Sequence, residues 1–238
     1  MDSKRAEAFS DGVFAVAITV LVFNLLAIGS PGLTSRPYHL LLNAWPSYFA
    51  YVVSFLTIGI MWMNHHTMFA HVSKVNRLVL VLNLLLLMGV VAIPFPTALV
   101  AEQLKAMSAA VRPADIATAT AGGKAATVVY GLAMIAISVG YSVMWLYMAS
   151  HQEKLGAVRR IRTPRAANLR FSAGLGGYIA ATLVAGFVSA VAALGIYGLL
   201  AVYYMFEHLP DPSGEADGDG DGADFGFTPT AGGAAPGG

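Results

Sequence analysis

The 238-residue chain is 57% hydrophobic and only 11% charged, where a soluble domain carries roughly a quarter charged residues, so it has too few charges to coat a globule. Its formal net charge of +1 hides an asymmetry: every Lys and Arg lies at or before Arg170, while the last 30 residues are acidic and contain neither, which is no footprint for nucleic acid. The absence of cysteine excludes disulfide frameworks, thiolate metal sites and Cys nucleophiles.

A hydrocarbon core of about 30 Å takes roughly 17 to 25 apolar helical residues to cross. Five uncharged runs have such lengths: Gly12 to Gly29, Ala44 to Ala70, Leu78 to Ala101, Ala125 to Ser150 and Phe171 to Phe206. The last holds 36 residues, too long for one span and enough for two short ones joined by a tight turn near Ser189 to Ala193. The expected fold is therefore all-α: a polytopic membrane protein of six transmembrane helices occupying residues 1–207.

Charge distribution supports that count. With six spans, Lys4, Arg5, Lys74, Arg77, Lys154, Arg159, Arg160, Arg162, Arg165 and Arg170 fall on one side, and Arg36, Lys105, Arg112 and Lys124 on the other, ten against four. Basic residues concentrate in cytoplasmic loops, so both termini are expected in the cytoplasm of a multi-pass protein of the cell membrane. A five-span alternative leaves the tail outside. A cleaved signal peptide ending at Ala27-Ile28-Gly29 is the rival reading of the amino terminus, opposed by the polar Phe9-Ser10-Asp11-Gly12 step.

From Pro210 the composition turns to Gly, Asp, Ala and Pro, and residues 208–238 are expected to form a disordered acidic tail. Asp217, Asp219, Asp221 and Gly222 match the first half of a calcium loop, but Thr228 stands where the closing bidentate Glu belongs.

Polar groups inside spans are expensive, which makes each a functional candidate. The first helix carries Arg5, Ser10, Asp11 and Asn24, the second Asn64, His65 and His66, and the third Asn83. At about 100° per residue, Phe9, Gly12, Val16, Thr19, Val20, Phe23 and Ala27 fall along one edge of the first helix, with Asp11 on the opposite side. The edge offers one hydroxyl among apolar side chains, an arrangement that suits a pore helix; packing against lipid or protein is the simpler use of such a stripe. His65 and His66 are adjacent and diverge by about 100°, so they do not converge on a metal ion. No Ser-His-Asp set, His-Glu-x-x-His or phosphate-binding glycine loop points to an enzyme or to a cofactor. A proton- or cation-coupled transporter is the alternative reading of Asp11, His65 and His66, although the two halves show no convincing repeat.

The run Arg5-x-x-x-Phe9-Ser10-Asp11 at the head of the first helix resembles the Arg-x-x-x-Phe-Ser-Asp signature of the transmembrane protein 175 family, the endolysosomal potassium channels and their prokaryotic relatives. Trp62-x-x-His65, Asn83 and Pro94-Phe95-Pro96 are similar to later features of that family. The resemblance covers residues 1 to about 207 and implies a potassium-permeable channel built as a C4 homotetramer of six-helix units. It further implies that the first helix lines the pore, with Val16 at the constriction and Thr19 contributing to ion preference. Val20 and Phe23 continue the lining, and the narrowest point falls at Val16 or at Phe23. In this reading Arg5, Asp11 and His65 form a polar cluster behind the pore, and Phe9, Ser10 and Asn83 belong to the same conserved-type framework. No Thr-Val-Gly-Tyr-Gly filter is present, so potassium selectivity is expected to be weak to moderate, with other monovalent cations also permeant.

Overall fold

The computed structural model describes residues 2–26, 44–157 and 164–206, and nearly all of them are helical. Helix α1 (Ser3–Val20) is capped by Asp2, whose Oδ1 accepts from the Lys4 N–H at 3.1 Å, satisfying one of the donors that a helix start leaves open. A break at Leu21 and Val22 precedes the single turn α2 (Phe23–Leu26). Helix α3 (Trp45–Ala70) opens with Pro46, whose missing N–H costs nothing in a first turn. Helix α4 (Arg77–Ala92) is capped by Asn76, which accepts from the Val79 N–H at 3.0 Å.

Helix α5 (Pro94–Ala109) follows after Ile93, and the Pro94-Phe95-Pro96 step sets the break because proline has no N–H for the preceding turn. Helix α6 (Pro113–Ser150), α7 (Pro164–Phe187) and α8 (Ala190–Phe206) complete the bundle. Four segments, Ser3–Leu25, Ser47–Ala70, Arg77–Ala109 and Pro113–Ser150, are long and apolar enough to cross a membrane, and two shorter apolar helices span Gly174–Phe187 and Ala190–Met205. The expected division of the last apolar run falls where the structure turns, between Phe187 and Ala190, with Ser189 Oγ accepting from the Ala192 N–H. The stretch 27–43, which includes Ala27, Gly29 and Arg36, the segment carrying Arg159, Arg160 and Arg162, and the acidic tail 208–238 lie outside the described residues.

Two boundaries differ from the expectation. The third segment runs on past Ala101 to Ala109, and α6 begins at Pro113 rather than near Ala125. Apolar run length reads only the part of a helix that lies in lipid. The 38 residues of α6 reach about 57 Å at about 1.5 Å each, well beyond a hydrocarbon core of about 30 Å. Its first turns and the end of α5 hold each other: Gly122 abuts the Gln103 side chain and Gly123 abuts Met107, approaches that a larger residue on α6 would block.

Helix α6 is the centre of the bundle, touching α4, α5, α7 and α8, while α1 rests on α3 and α4. The buried core runs along these contacts through Phe14, Ile58, Met68, Val79, Met134, Met144 and Tyr197.

At the end of the bundle where the chain starts, backbone hydrogen bonds stitch three connections together. Ser3 N–H donates to Ser73 O (3.2 Å), Ser73 N–H to Gly156 O (3.2 Å) and Lys74 N–H to Leu155 O (3.0 Å). The amino terminus, the α3–α4 turn and the α6–α7 turn therefore share one face, as alternating spans require. Gly156, which accepts from Ser73, has a φ of +57°, a left-handed conformation that favours glycine.

Candidate functional site

Helix α1 has two unlike faces. Ala6, Ser10, Phe14, Ala17 and Leu21 recur at three- and four-residue steps and are buried against α3 and α4. The opposite edge is open among the described residues: Phe9, Gly12, Val16, Thr19 and Val20 are exposed, and so is Phe23 on α2, with Val16 at 56% and Phe23 at 62%. These are the residues read from the sequence as the stripe. The Thr19 hydroxyl donates to Val16 O at 2.9 Å, so its proton is held by its own helix and only oxygen lone pairs remain for a visitor.

The buried face is fixed by a polar node joining three helices. Asn83 on α4 donates through Nδ2 to Ser10 Oγ on α1 at 2.9 Å, and Ser10 Oγ–H donates to Ala6 O at 2.8 Å. Asn83 Oδ1 is left facing His65 Nε2 on α3, 2.8 Å away. Since Oδ1 can only accept, the imidazole proton sits on Nε2. The His65 ring is sealed from solvent at 0% exposure, stacked on Phe69 (centroids 4.5 Å apart) and edge-on to Phe14 (5.4 Å). Its Nδ1 has no hydrogen-bond partner among the described residues.

Asp11 stands outside this node. It is half-buried and accepts from Trp62 Nε1–H on α3 at 2.8 Å. One turn further along α3, His66 Nδ1 meets Glu7 Oε1 at 2.7 Å, a second link between α1 and α3 that sequence reasoning missed because Glu7 precedes the apolar run.

The expected single cluster of Arg5, Asp11 and His65 is thus corrected. His65 pairs with Asn83, Asp11 pairs with Trp62, and Arg5 is exposed with no hydrogen bond or ion pair to any described residue. Phe9 likewise faces outward rather than into the framework. Trp62 was legible only as part of a motif; its indole N–H reaches the carboxylate without bringing a charge. Among the described residues no group of three or more His, Asp or Glu side chains converges to hold a metal ion.

These features define a polytopic α-helical membrane protein whose first helix is clamped on one face and bare on the other. Residues 5–94 match the family profile of the endosomal/lysosomal potassium channel TMEM175. A Streptomyces collinus protein named as a potassium channel is 42% identical over 218 residues, covering 90% of this chain and 97% of the relative. A Chamaesiphon minutus protein, also named as a potassium channel, is 34% identical over 208 residues, covering 85% and 93%. The crystal structure of a lysosomal potassium-selective channel TMEM175 homolog from Chamaesiphon minutus superimposes with a TM-score of 0.67 at 33% identity, covering 85% of this chain and 96% of that one. The chain belongs to the TMEM175 family.

Proposed function

We propose that this chain is one subunit of a potassium-permeable cation channel that conducts passively through a pore shared by four copies. The observation that carries the reading is the bare edge of α1: Phe9, Val16, Thr19, Val20 and Phe23 are exposed among the described residues, while the opposite edge is pinned by Ser10, Asn83 and His65. Four such edges around a C4 axis close a ring by heterologous contacts and cover one another.

In that ring Val16, Val20 and Phe23 form a narrow apolar neck that gates by dewetting, and Thr19 contributes four hydroxyl oxygens. Because each Thr19 proton is spent on Val16 O, the ring presents lone pairs to a cation. Without a backbone-carbonyl filter, the preference for potassium over other monovalent cations is weak to moderate. The Asn83 node and the Trp62–Asp11 bond hold α1 in register and keep the carboxylate off the axis. Arg5 lies at the cytoplasmic mouth.

The channel unit occupies residues 1–207, is embedded in the lipid of the cell membrane and has both termini in the cytoplasm; residues 208–238 are an appended acidic tail. No chemical step is catalysed. The test is electrical: purified protein in planar bilayers passes potassium current, and substitution at Val16, Thr19 or Phe23 changes it. Silence across pH and voltage, or current indifferent to all three substitutions, overturns the reading.

A further inference from the structure

Away from α1, the helices α3, α6, α7 and α8 do not close on one another completely. They leave a cavity in which the centres of water-sized spheres can range over about 60 Å³, and no α1 residue lines it. At roughly 10–15 Å³ per water on that measure, it has room for about four to six waters, or one organic molecule of similar heavy-atom count.

The lining is divided. Met134, Ile137 and Ala201 are among its apolar walls, and no charged side chain among the described residues borders it. Asn64, Ser138 and Tyr178 supply an amide and two hydroxyls, and none of these three side chains makes a hydrogen bond to another described residue. The neighbouring Tyr141 is different, since its hydroxyl is satisfied by donating to Met61 O at 2.7 Å. All three are half-buried and reach the cavity surface, so an occupant there meets both donors and acceptors. Small residues on the wall keep the space open: at Gly174 a Cβ would run into the Tyr204 hydroxyl, and Ala201 stops short of the centre.

From this we infer that the cavity is a binding site for a small neutral amphiphile of the alcohol class. Its hydroxyl takes the place of water against Asn64, Ser138 and Tyr178, and its hydrocarbon part lies on Met134, Ile137 and Ala201. The uncharged lining among the described residues favours a neutral ligand over a carboxylate or an amine, which would need a counter-ion there. The inference rests on the cavity alone and not on the channel reading.

The test is binding of 3-fluoropropan-1-ol, which has five heavy atoms, to the purified protein in lipid nanodiscs, followed by its fluorine NMR signal with empty nanodiscs as the reference. The expected result is a saturable, protein-dependent shift. Ala201→Leu, which fills the space, abolishes it, and Asn64→Ala or Ser138→Ala weakens it by several-fold to about tenfold. The alanine variants decide the matter if Ala201→Leu does not fold. A shift that only follows lipid partitioning, with water as the sole occupant, overturns the inference, as does saturable binding that survives all the substitutions. Because no ion gradient enters the measurement, its failure leaves the conduction proposal standing, and silent bilayers leave this one standing.

Discussion

His65 on α3 and Asn83 on α4 meet through a 2.8 Å contact between Nε2 and Oδ1, and the other end of the same amide holds Ser10 of α1 at 2.9 Å. One asparagine thereby joins three helices, with its acceptor and one donor each committed. Replacing it by alanine leaves the buried His65 N–H without its acceptor and the Ser10 oxygen without its donor. Asn83→Ala is expected to destabilise the protein by about 2–6 kcal/mol, at about 1–3 kcal/mol for each of the two groups. Asn83→Asp retains the acceptor but loses the donor to Ser10, and is expected to be intermediate or worse if ionised. Thermal unfolding in detergent ranks the variants; equal melting temperatures for wild type and Asn83→Ala are inconsistent with the node.

Trp62 gives Asp11 its hydrogen bond without giving it a charge. Trp62→Phe keeps the ring contacts and removes the N–H, so the lost interaction is a charge-assisted hydrogen bond worth about 1.5–3 kcal/mol. The expected outcome is that stability falls by up to that amount and potassium flux into proteoliposomes falls with it. His66→Ala, which removes the more exposed pairing with Glu7, is expected to cost less than about 1 kcal/mol. A reversal of this order means that Asp11 is not held through the indole.

Val16, Thr19 and Phe23 are exposed within the subunit, so changing them leaves its core untouched. Val16→Trp is expected to shift stability by no more than about 0.5 kcal/mol, as surface substitutions do. In bilayers the same change narrows an apolar neck and is expected to reduce potassium current on the order of tenfold or more. Thr19→Ala removes the only hydroxyl of the stripe and is expected to lower the potassium-to-sodium permeability ratio, read from reversal potentials, while conduction persists.

Gly156 sits at a φ of +57° in the ladder that ties the start of α1 to the α3–α4 turn, and a Cβ there would also press on Ser73 Oγ. Gly156→Ala is expected to cost about 1–2 kcal/mol, the usual penalty for a left-handed L-residue. Hydrogen exchange at the Ser3 and Lys74 amides, both bonded within that ladder, is expected to accelerate in the variant; unchanged protection there counts against the ladder as an anchor for α1.

Much of the architecture was legible before any coordinates. Apolar run length reports the thickness of the lipid that a helix crosses, so the six segments and the turn at Ser189 follow from composition alone. Helical spacing likewise separates the edge of Val16, Thr19 and Phe23 from the edge of Ser10 and Phe14, because that separation is a property of one helix. Where helices continue beyond the membrane, run length falls silent: α5 reaches Ala109 and α6 starts at Pro113 because they pack on each other through Gly122 and Gly123.

Partner choice was the tertiary structure's to decide. Arg5, Asp11 and His65 look complementary by charge, yet Asp11 took Trp62, His65 took Asn83 and Arg5 took neither. Which polar groups meet across helices depends on their relative height and rotation, to within the few tenths of an ångström that a hydrogen bond tolerates. Residues 51 and 73 positions apart in the chain carry no record of that alignment, and only the packed bundle supplies it.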